Sequence, residues 1–359
     1  MPTVPLYNPA PAHPDGWHAV TSPGGYEWWY FDAEDDTGNL QIVAIFLEGF
    51  VFHPGYLRRY DRYLKRPTRR RPPLPGQYPC AYFVVYERGK IVAQFMTQVP
   101  PGEFRAAADA ADVRVGPSTL VTTADGGYRL RMRGVPWTLS ATGPKTLEGQ
   151  RLEADLKFTR ALHHPPQERT FLSPAMTNGA THQWVIAAPL CAVDGKVTLT
   201  TGPGEQRVIP FRGRGYHDHN FGTAPIGPGL RRWIWGRVLS DDRVLTFHHA
   251  QPRDQSLPPE THLIEADVSG TREVDVPQVD AEWTGLTPLG LRYPKRLEMG
   301  GVLLLEDPQV VDLAPFYLRL TYRATVRGHQ GRAFCEVAYP QRLRWPVLGR
   351  MIEMSIHRT

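Results

Sequence analysis

The chain has 359 residues, 41% of them hydrophobic and 21% charged, with 33 glycines, 35 prolines and nine tryptophans. Such apolar and aromatic content excludes a disordered chain and is enough for a sizeable core. With 41 Lys and Arg against 36 Asp and Glu the formal charge is only +5, too little for a tight nucleic-acid binder, which carries a continuous basic stripe.

Residues 1–15 are Pro-rich and polar, without the basic and then apolar run of a secretory signal. Short runs rich in Val, Ile, Thr, Tyr, Phe and Trp follow, bounded by Gly, Pro, Asp or Asn, and these read as strands. In the first half they are residues 26–32, 40–47, 81–87, 91–98, 119–123, 128–133, 151–158, 182–188 and 196–201. The longest apolar stretch, residues 40–52, is broken by Glu48 and Gly49 and is too short to cross a bilayer. A cytoplasmic protein is expected, with peripheral contact at a membrane as an option. Residues 57–75, LRRYDRYLKRPTRRRPPLP, read as a mobile basic surface insertion between strands; the functional alternative is a peripheral anchor on anionic lipid, with nucleic-acid contact as a weaker third reading. Asp125-Gly126-Gly127, Arg88-Gly89-Lys90 and Asp194-Gly195 read as hairpin turns.

The strand texture resumes at residues 232–239, 243–250, 261–268, 317–327 and 331–339. The Pro- and Gly-rich stretch 223–229 between the halves predicts two domains, 1–222 and 223–359. The expected fold is therefore all-β, two tandem antiparallel barrels or sandwiches of eight to ten strands each, closed or nearly so. Cys80, Cys191 and Cys335 are too far apart in sequence to form a metal cluster by spacing. They read as buried thiols.

No phosphate-binding Gly loop, nucleophile elbow or paired CxxC is present, and no cofactor or metal is expected. Chemistry concentrates instead in Gly25-Tyr26-Glu27-Trp28-Trp29-Tyr30-Phe31-Asp32, in Thr181-His182-Gln183-Trp184 and in Gly213-Arg214-Gly215-Tyr216-His217-Asp218-His219-Asn220-Phe221-Gly222, with EWWYFD, HQW and GYHDHNFG as their cores. With the ending GRAFCEVAYP and PVLGRMIEM, residues 331–354, these motifs resemble the carotenoid 1,2-hydratases (hydroxyneurosporene synthases) and their relatives. That resemblance implies tandem lipocalin-like domains and addition of water to a terminal double bond of an acyclic carotenoid or other long isoprenoid. It also implies catalytic roles for His182, Trp184, Tyr216 and Asp218.

Strand alternation sets Tyr216, Asp218 and Asn220 on one face and His217 and His219 on the other, while His182 and Trp184 point the same way. If both strands turn these sets inward, one cavity holds an acid, an imidazole, a phenol and an indole. Such a cavity suits a carbocation. Asp218 is the expected proton donor, Trp184 and Tyr216 the aromatic faces, and His182 the group that orients the water or accepts its proton. Trp29, Asn220, His217, Trp233 and Trp235 are the expected substrate-lining residues, the last two at a wall between the domains, although the EWWYFD run also reads as a core strand with a turn-capping Asp32. His217 and His219 could ligate a metal with His182 or Asp218, but a regular strand turns Asp218 away from that pair. Two other functions fit the same residues: a polyene cyclase or isomerase, and a non-enzymatic carrier of a hydrophobic ligand.

Overall fold

A computed structural model describes residues 13–240 and 242–359, leaving the Pro-rich opening, residues 1–12, outside the described residues. The chain forms two compact units. The first runs to Ile226 and takes back Leu343–Thr359, and the second is Gly227–Arg342. This differs from the expected division, which gave the whole tail to the second domain. The tail belongs to the first because Ile356 is buried with Leu47, Phe50 and Tyr56. Its last strand, His357–Arg358, also pairs in parallel with the strand Lys90–Gln98.

The first unit opens with a meander of β1 (Tyr26–Asp35), β2 (Leu40–Glu48), β3 (Cys80–Glu87) and β4 (Lys90–Gln98). Between β3 and β4, Arg88 and Gly89 both take positive φ, 50° and 73°. That two-residue turn matches the twist of paired strands. Four shorter strands follow, β5 (Phe104–Ala106), β6 (Val113–Val115), β7 (Ser118–Thr122) and β8 (Tyr128–Gly134). A separate small hairpin comprises β9 (Trp137–Ser140) and β10 (Gly143–Thr146), and the unit's strands continue with β11 (Arg151–Arg160), β12 (Gln167–Thr170), β13 (His182–Gly202) and β14 (Glu205–Gly222). The main sheet is ordered β4-β3-β2-β1-β14-β13-β11-β8-β7-β6-β5 and curls on itself, with Phe95 of β4 lying over Gly134 of β8. The curl encloses a core that includes Trp29, Phe31, Phe46, Phe83, Phe95, Leu130, Leu156, Phe158 and Phe211.

Two sequence expectations fail here. Asp194-Gly195 is no turn: it lies within β13, which runs on to a turn at Pro203-Gly204. A Cβ at Gly195 would sit 2.1 Å from the Asp155 carbonyl oxygen of β11, so close strand approach, not turning, requires the glycine. The basic insertion also begins as ordered structure, helix α1 (Pro54–Lys65). His53 caps it, its Nδ1 accepting from the backbone N–H groups of Gly55 and Tyr56 at 2.9 and 3.2 Å, and Tyr56 and Leu57 are fully buried. Helical spacing with a single buried turn leaves few apolar residues to read, so the basic composition hid the helix.

The second unit is one nine-stranded antiparallel sheet containing Leu230–Leu239, Arg243–Pro252, Glu260–Asp267, Tyr317–Val326 and His329–Ala338. Ile234, Val238, Leu245, Phe247, Leu318 and Leu320 are part of its core. Trp233 and Trp235 alternate with Ile234 and so take the opposite face, each only 6% exposed. The three cysteines are buried free thiols.

Candidate active site

Alternation along β14 combines with its register to assemble the site. Tyr30 and Trp28 of β1 stand opposite Asp218 and Asn220, and Trp184 and His182 of β13 stand opposite Asn220 and Gly222. One sheet face therefore carries Tyr26, Trp28, His182, Trp184, Tyr216, Asp218 and Asn220. On this face Asp218 is the hub. Its Oδ2 accepts from the Trp184 indole N–H and the Tyr216 hydroxyl, both at 2.9 Å, and its Oδ1 accepts from the Asn220 amide at 2.9 Å. Asp218 is 4% exposed, Trp184 1% and Tyr216 0%. Burial lifts the Tyr216 hydroxyl well above its ordinary range, and the neighbouring carboxyl adds to the shift, so the phenol keeps its proton.

His182 forms a second cluster on that face. Its Nδ1 lies 2.7 Å from the Tyr26 hydroxyl, and the Tyr26 ring stacks on Trp28 with centroids 4.7 Å apart. Burial pushes His182 down to about 3, so the ring is a neutral imidazole. Gly222 makes the approach feasible. A Cβ there would lie 2.6 Å from Tyr26 Cε1 and 2.7 Å from His182 Nδ1.

The opposite face of the same strands lines the interior of the curled sheet, and it too is polar at one end. His217 stacks on Phe31 at 3.8 Å, and its Nε2 meets Asp15 Oδ2 at 3.1 Å. His219 stacks on Trp29 at 4.4 Å, and its Nε2 meets Glu27 Oε1 at 3.0 Å. His18 reaches the same oxygen with its backbone N–H at 2.7 Å and with Nδ1 at 3.0 Å. Burial alone would raise Asp15, but His217, His219 and Tyr128 together hold it below the usual carboxylate range. Burial raises Glu27, pushes His18 down to about 4 and lowers His219.

Glu48 stands directly across from Glu27. Burial, reinforced by the charge of Glu27, pushes its carboxyl from 4.5 up to about 8. An acid that titrates higher in the fold than in the unfolded chain loses stability as pH rises between those values, because the unfolded chain gives up the proton first. Glu48→Gln keeps an acceptor for the Trp17 indole N–H, which lies 2.7 Å from Glu48 Oε2. The variant is expected to melt with wild type near about pH 5 and progressively above it towards about pH 8, measured by thermal denaturation across that range.

Among the described residues the group with metal-ligand spacing is His18, Glu27 and His219, all buried. The pairing weighed from sequence is not assembled: His217 and His219 share a face, but His182 and Asp218 lie on the other. In the group that does form, His18 Nδ1 and His219 Nε2 both point at Glu27 Oε1, a geometry that hydrogen bonding accounts for.

A sequence model described as "Carotenoid hydratase CrtC" matches residues 49–359. The chain belongs to the carotenoid hydratase family. Within it, the chain is 31% identical over 322 residues to a protein of Chlorobaculum tepidum named hydroxyneurosporene dehydrogenase, covering 85% of this chain and 78% of that one. It is 28% identical over 262 residues to the acyclic carotenoid 1,2-hydratase of Cereibacter sphaeroides, covering 68% and 86%. Of solved structures, an AttH-type protein of Nitrosomonas europaea aligns with TM-score 0.60 and 18% identity, over 94% of this chain and 98% of the other. CghA with Sch210972 aligns with TM-score 0.52 and 11% identity over 90% of each chain. At those identities the likeness establishes the fold alone.

The register joins the two sets that strand alternation predicts separately, His182 with Trp184 on β13 and Tyr216, Asp218 and Asn220 on β14, on one face of the sheet. The direction differs from expectation. The set faces away from the apolar interior of the curled sheet, because Trp29, Phe31 and Phe158 fill that side. Trp29 and His217, expected to line substrate, are therefore inside: Trp29 is fully buried and its indole N–H donates to the Asp15 carbonyl at 3.0 Å. Asp32 is no turn cap but a buried strand residue on the face of Asp218, paired with Tyr216. Tyr26 lies in the first aromatic concentration but had no role assigned from sequence, because its partner His182 appears only with the register of β1, β14 and β13. Sequence reading missed the Asp15, His18 and Glu27 network.

Proposed function

We propose that the protein adds water to a terminal trisubstituted double bond of a long isoprenoid of the acyclic carotenoid class. The observation that carries this reading is the convergence of Trp184, Tyr216 and Asn220 on the buried carboxyl of Asp218, with neutral His182 on the same face.

Asp218 delivers its proton to the less substituted alkene carbon. The π electrons form the new C–H bond and leave a tertiary cation on the other carbon. A water oxygen attacks that cation, and the resulting oxonium loses a proton to His182, giving the tertiary alcohol. Proton return from His182 to Asp218 through solvent closes the cycle. An imidazole pushed down to about 3 is a weak base, yet a protonated alcohol is acidic enough to be deprotonated by it. Burial favours the neutral form of Asp218, whereas three donors favour the carboxylate. Asn220 can serve both: turned over, its amide presents an oxygen to a protonated Oδ1. Trp184, fixed through its N–H, offers an indole face to the cation, an attraction of roughly 0.5–2 kcal/mol.

The test is incubation of the purified protein with lycopene or neurosporene in detergent, with products read by mass spectrometry. The expected product carries one added water. A product of unchanged mass would replace hydration by cyclisation or isomerisation, and a bound lipid without turnover would make the protein a carrier. Tyr26→Phe removes the hydroxyl that holds His182 and is expected to lower turnover by about tenfold, the weight of one hydrogen bond of ~1.4 kcal/mol. Gly222→Ala, which forces Tyr26 and His182 apart, should match or exceed that loss in the same assay.

A further inference from the structure

The residues that the hydration chemistry leaves unused include a helix pair of unusual surface composition. Helix α1 and the segment after it hold eight basic residues, Arg58, Arg59, Arg62, Lys65, Arg66, Arg69, Arg70 and Arg71, against the single acid Asp61. Residues 64–71 are exposed throughout. The C-terminal helix Pro346–Met354 lies against α1: Gly349 abuts Pro54, Arg58 pairs with Glu353, and Arg344 grips Asp61 with two hydrogen bonds of 3.0 and 3.1 Å. Both acids that could offset the basic charge are thus consumed in ion pairs.

The same helix pair carries exposed apolar side chains. Gly349 and Ile352 are buried, while on the other side Val347 is 71% and Met354 47% exposed, and Trp345 just before the helix is 51% exposed. Leu64, one turn beyond Asp61, is 57% exposed. Leu64 lies one helical turn after Asp61 and Trp345 directly follows Arg344 in the chain, so both neighbour the Asp61–Arg344 pair in sequence. Single exposed apolar residues are ordinary on a protein surface, but a grouped set rimmed by guanidinium groups marks an interaction site.

We propose that this helix pair is a docking face for an anionic lipid bilayer. Trp345, Val347 and Leu64 enter the headgroup region, and the exposed Arg62, Lys65, Arg66, Arg69, Arg70 and Arg71 contact lipid phosphates. Bilayers suit both components: a polybasic segment is drawn to the anionic surface, and interfacial Trp and aliphatic side chains seat in the boundary layer. A phosphate-rich polymer such as RNA would use the arginines but give Val347 and Leu64 no apolar partner. The inference rests on the helix pair alone and stands or falls independently of the hydration chemistry on the β14 face.

The test is co-sedimentation of the full chain with vesicles of phosphatidylcholine alone or mixed with phosphatidylglycerol, at low and high salt. Expected is pelleting with the mixed vesicles, weakened by salt. The triple charge reversal Arg69→Glu, Arg70→Glu, Arg71→Glu should lower binding more than about tenfold. Val347→Asp should lower it as well, with salt dependence retained. All four positions are exposed, so melting temperature and turnover of detergent-dissolved substrate should be unchanged. Equal pelleting with phosphatidylcholine alone, no pelleting at all, or variants that bind as wild type would overturn the proposal. So would RNA binding that the triple reversal abolishes while Val347→Asp leaves both RNA and vesicle binding intact.

Discussion

Asp218→Asn is expected to reduce hydration by about 10²–10⁴-fold, the usual contribution of a positioned general acid. The loss should fall on kcat, since shape and aromatic lining are kept. The fold should survive, because the carbonyl oxygen of the introduced amide can take the Trp184 N–H and Tyr216 O–H that Oδ2 now accepts. The amide nitrogen then meets Asn220, which turns over to offer its oxygen. A melting temperature within a few degrees of wild type, combined with the lost product, isolates the proton step. Trp184→Phe retains an aromatic ring but frees Asp218 from one donor, and a smaller loss, about tenfold, is expected. Full hydration by Asp218→Asn, measured in one turnover with mass detection, would remove Asp218 from the acid role and leave the Tyr216 hydroxyl as the remaining O–H donor of that cluster.

How much of this could be read in advance depends on which physical rule each feature obeys. The face shared by Tyr216, Asp218 and Asn220 follows from the two-residue period of a strand, which any extended backbone obeys. Which side of the sheet that face turns to does not follow. In 215–222 both alternate sets mix polar and aromatic residues, so neither looks like a core set, and the decision comes from strands far away in sequence. Phe31, Phe158 and Phe211 fill the interior and draw His217 and His219 in with them. Trp29 shows the same effect: a tryptophan suits a ligand wall or a core, and only the pairing of β1 with β14 puts it on the core side. Gly195 misled because Asp-Gly is a turn signal by local preference, while here the glycine answers a tertiary demand, the Asp155 carbonyl of the neighbouring strand. Helix α1 escaped because its apolar stripe is one turn long. The partner of Tyr26 lies 156 residues away, a separation no local pattern can bridge.

The interior network gives a contrasting prediction of large effect, on stability instead of turnover. Glu27 is fully buried, and its Oε1 receives the backbone N–H of His18 and faces His18 Nδ1 and His219 Nε2. Glu27→Ala removes the acceptor that these groups share, and no solvent reaches the site to replace it. Breaking a buried polar or ionic cluster from one side costs about 3–5 kcal/mol, which for a unit of this size lowers the melting temperature by roughly 10 °C. Glu27→Gln retains one carbonyl oxygen for the backbone N–H and should cost about 1–2 kcal/mol. Because Glu27 projects from β1 to the face opposite Asp218, either variant, assayed at a temperature where it remains folded, should keep turnover within a few-fold of wild type. The two carboxyls would then separate cleanly: Asp218→Asn stable and inactive, Glu27→Ala unstable and active. The same measurement decides between hydrogen bonding and metal ligation at His18, Glu27 and His219. A hydrogen-bonded hub melts at the same temperature with and without EDTA. A metal centre would lose stability to the chelator, yield stoichiometric ion on elemental analysis, and lose that ion in Glu27→Ala.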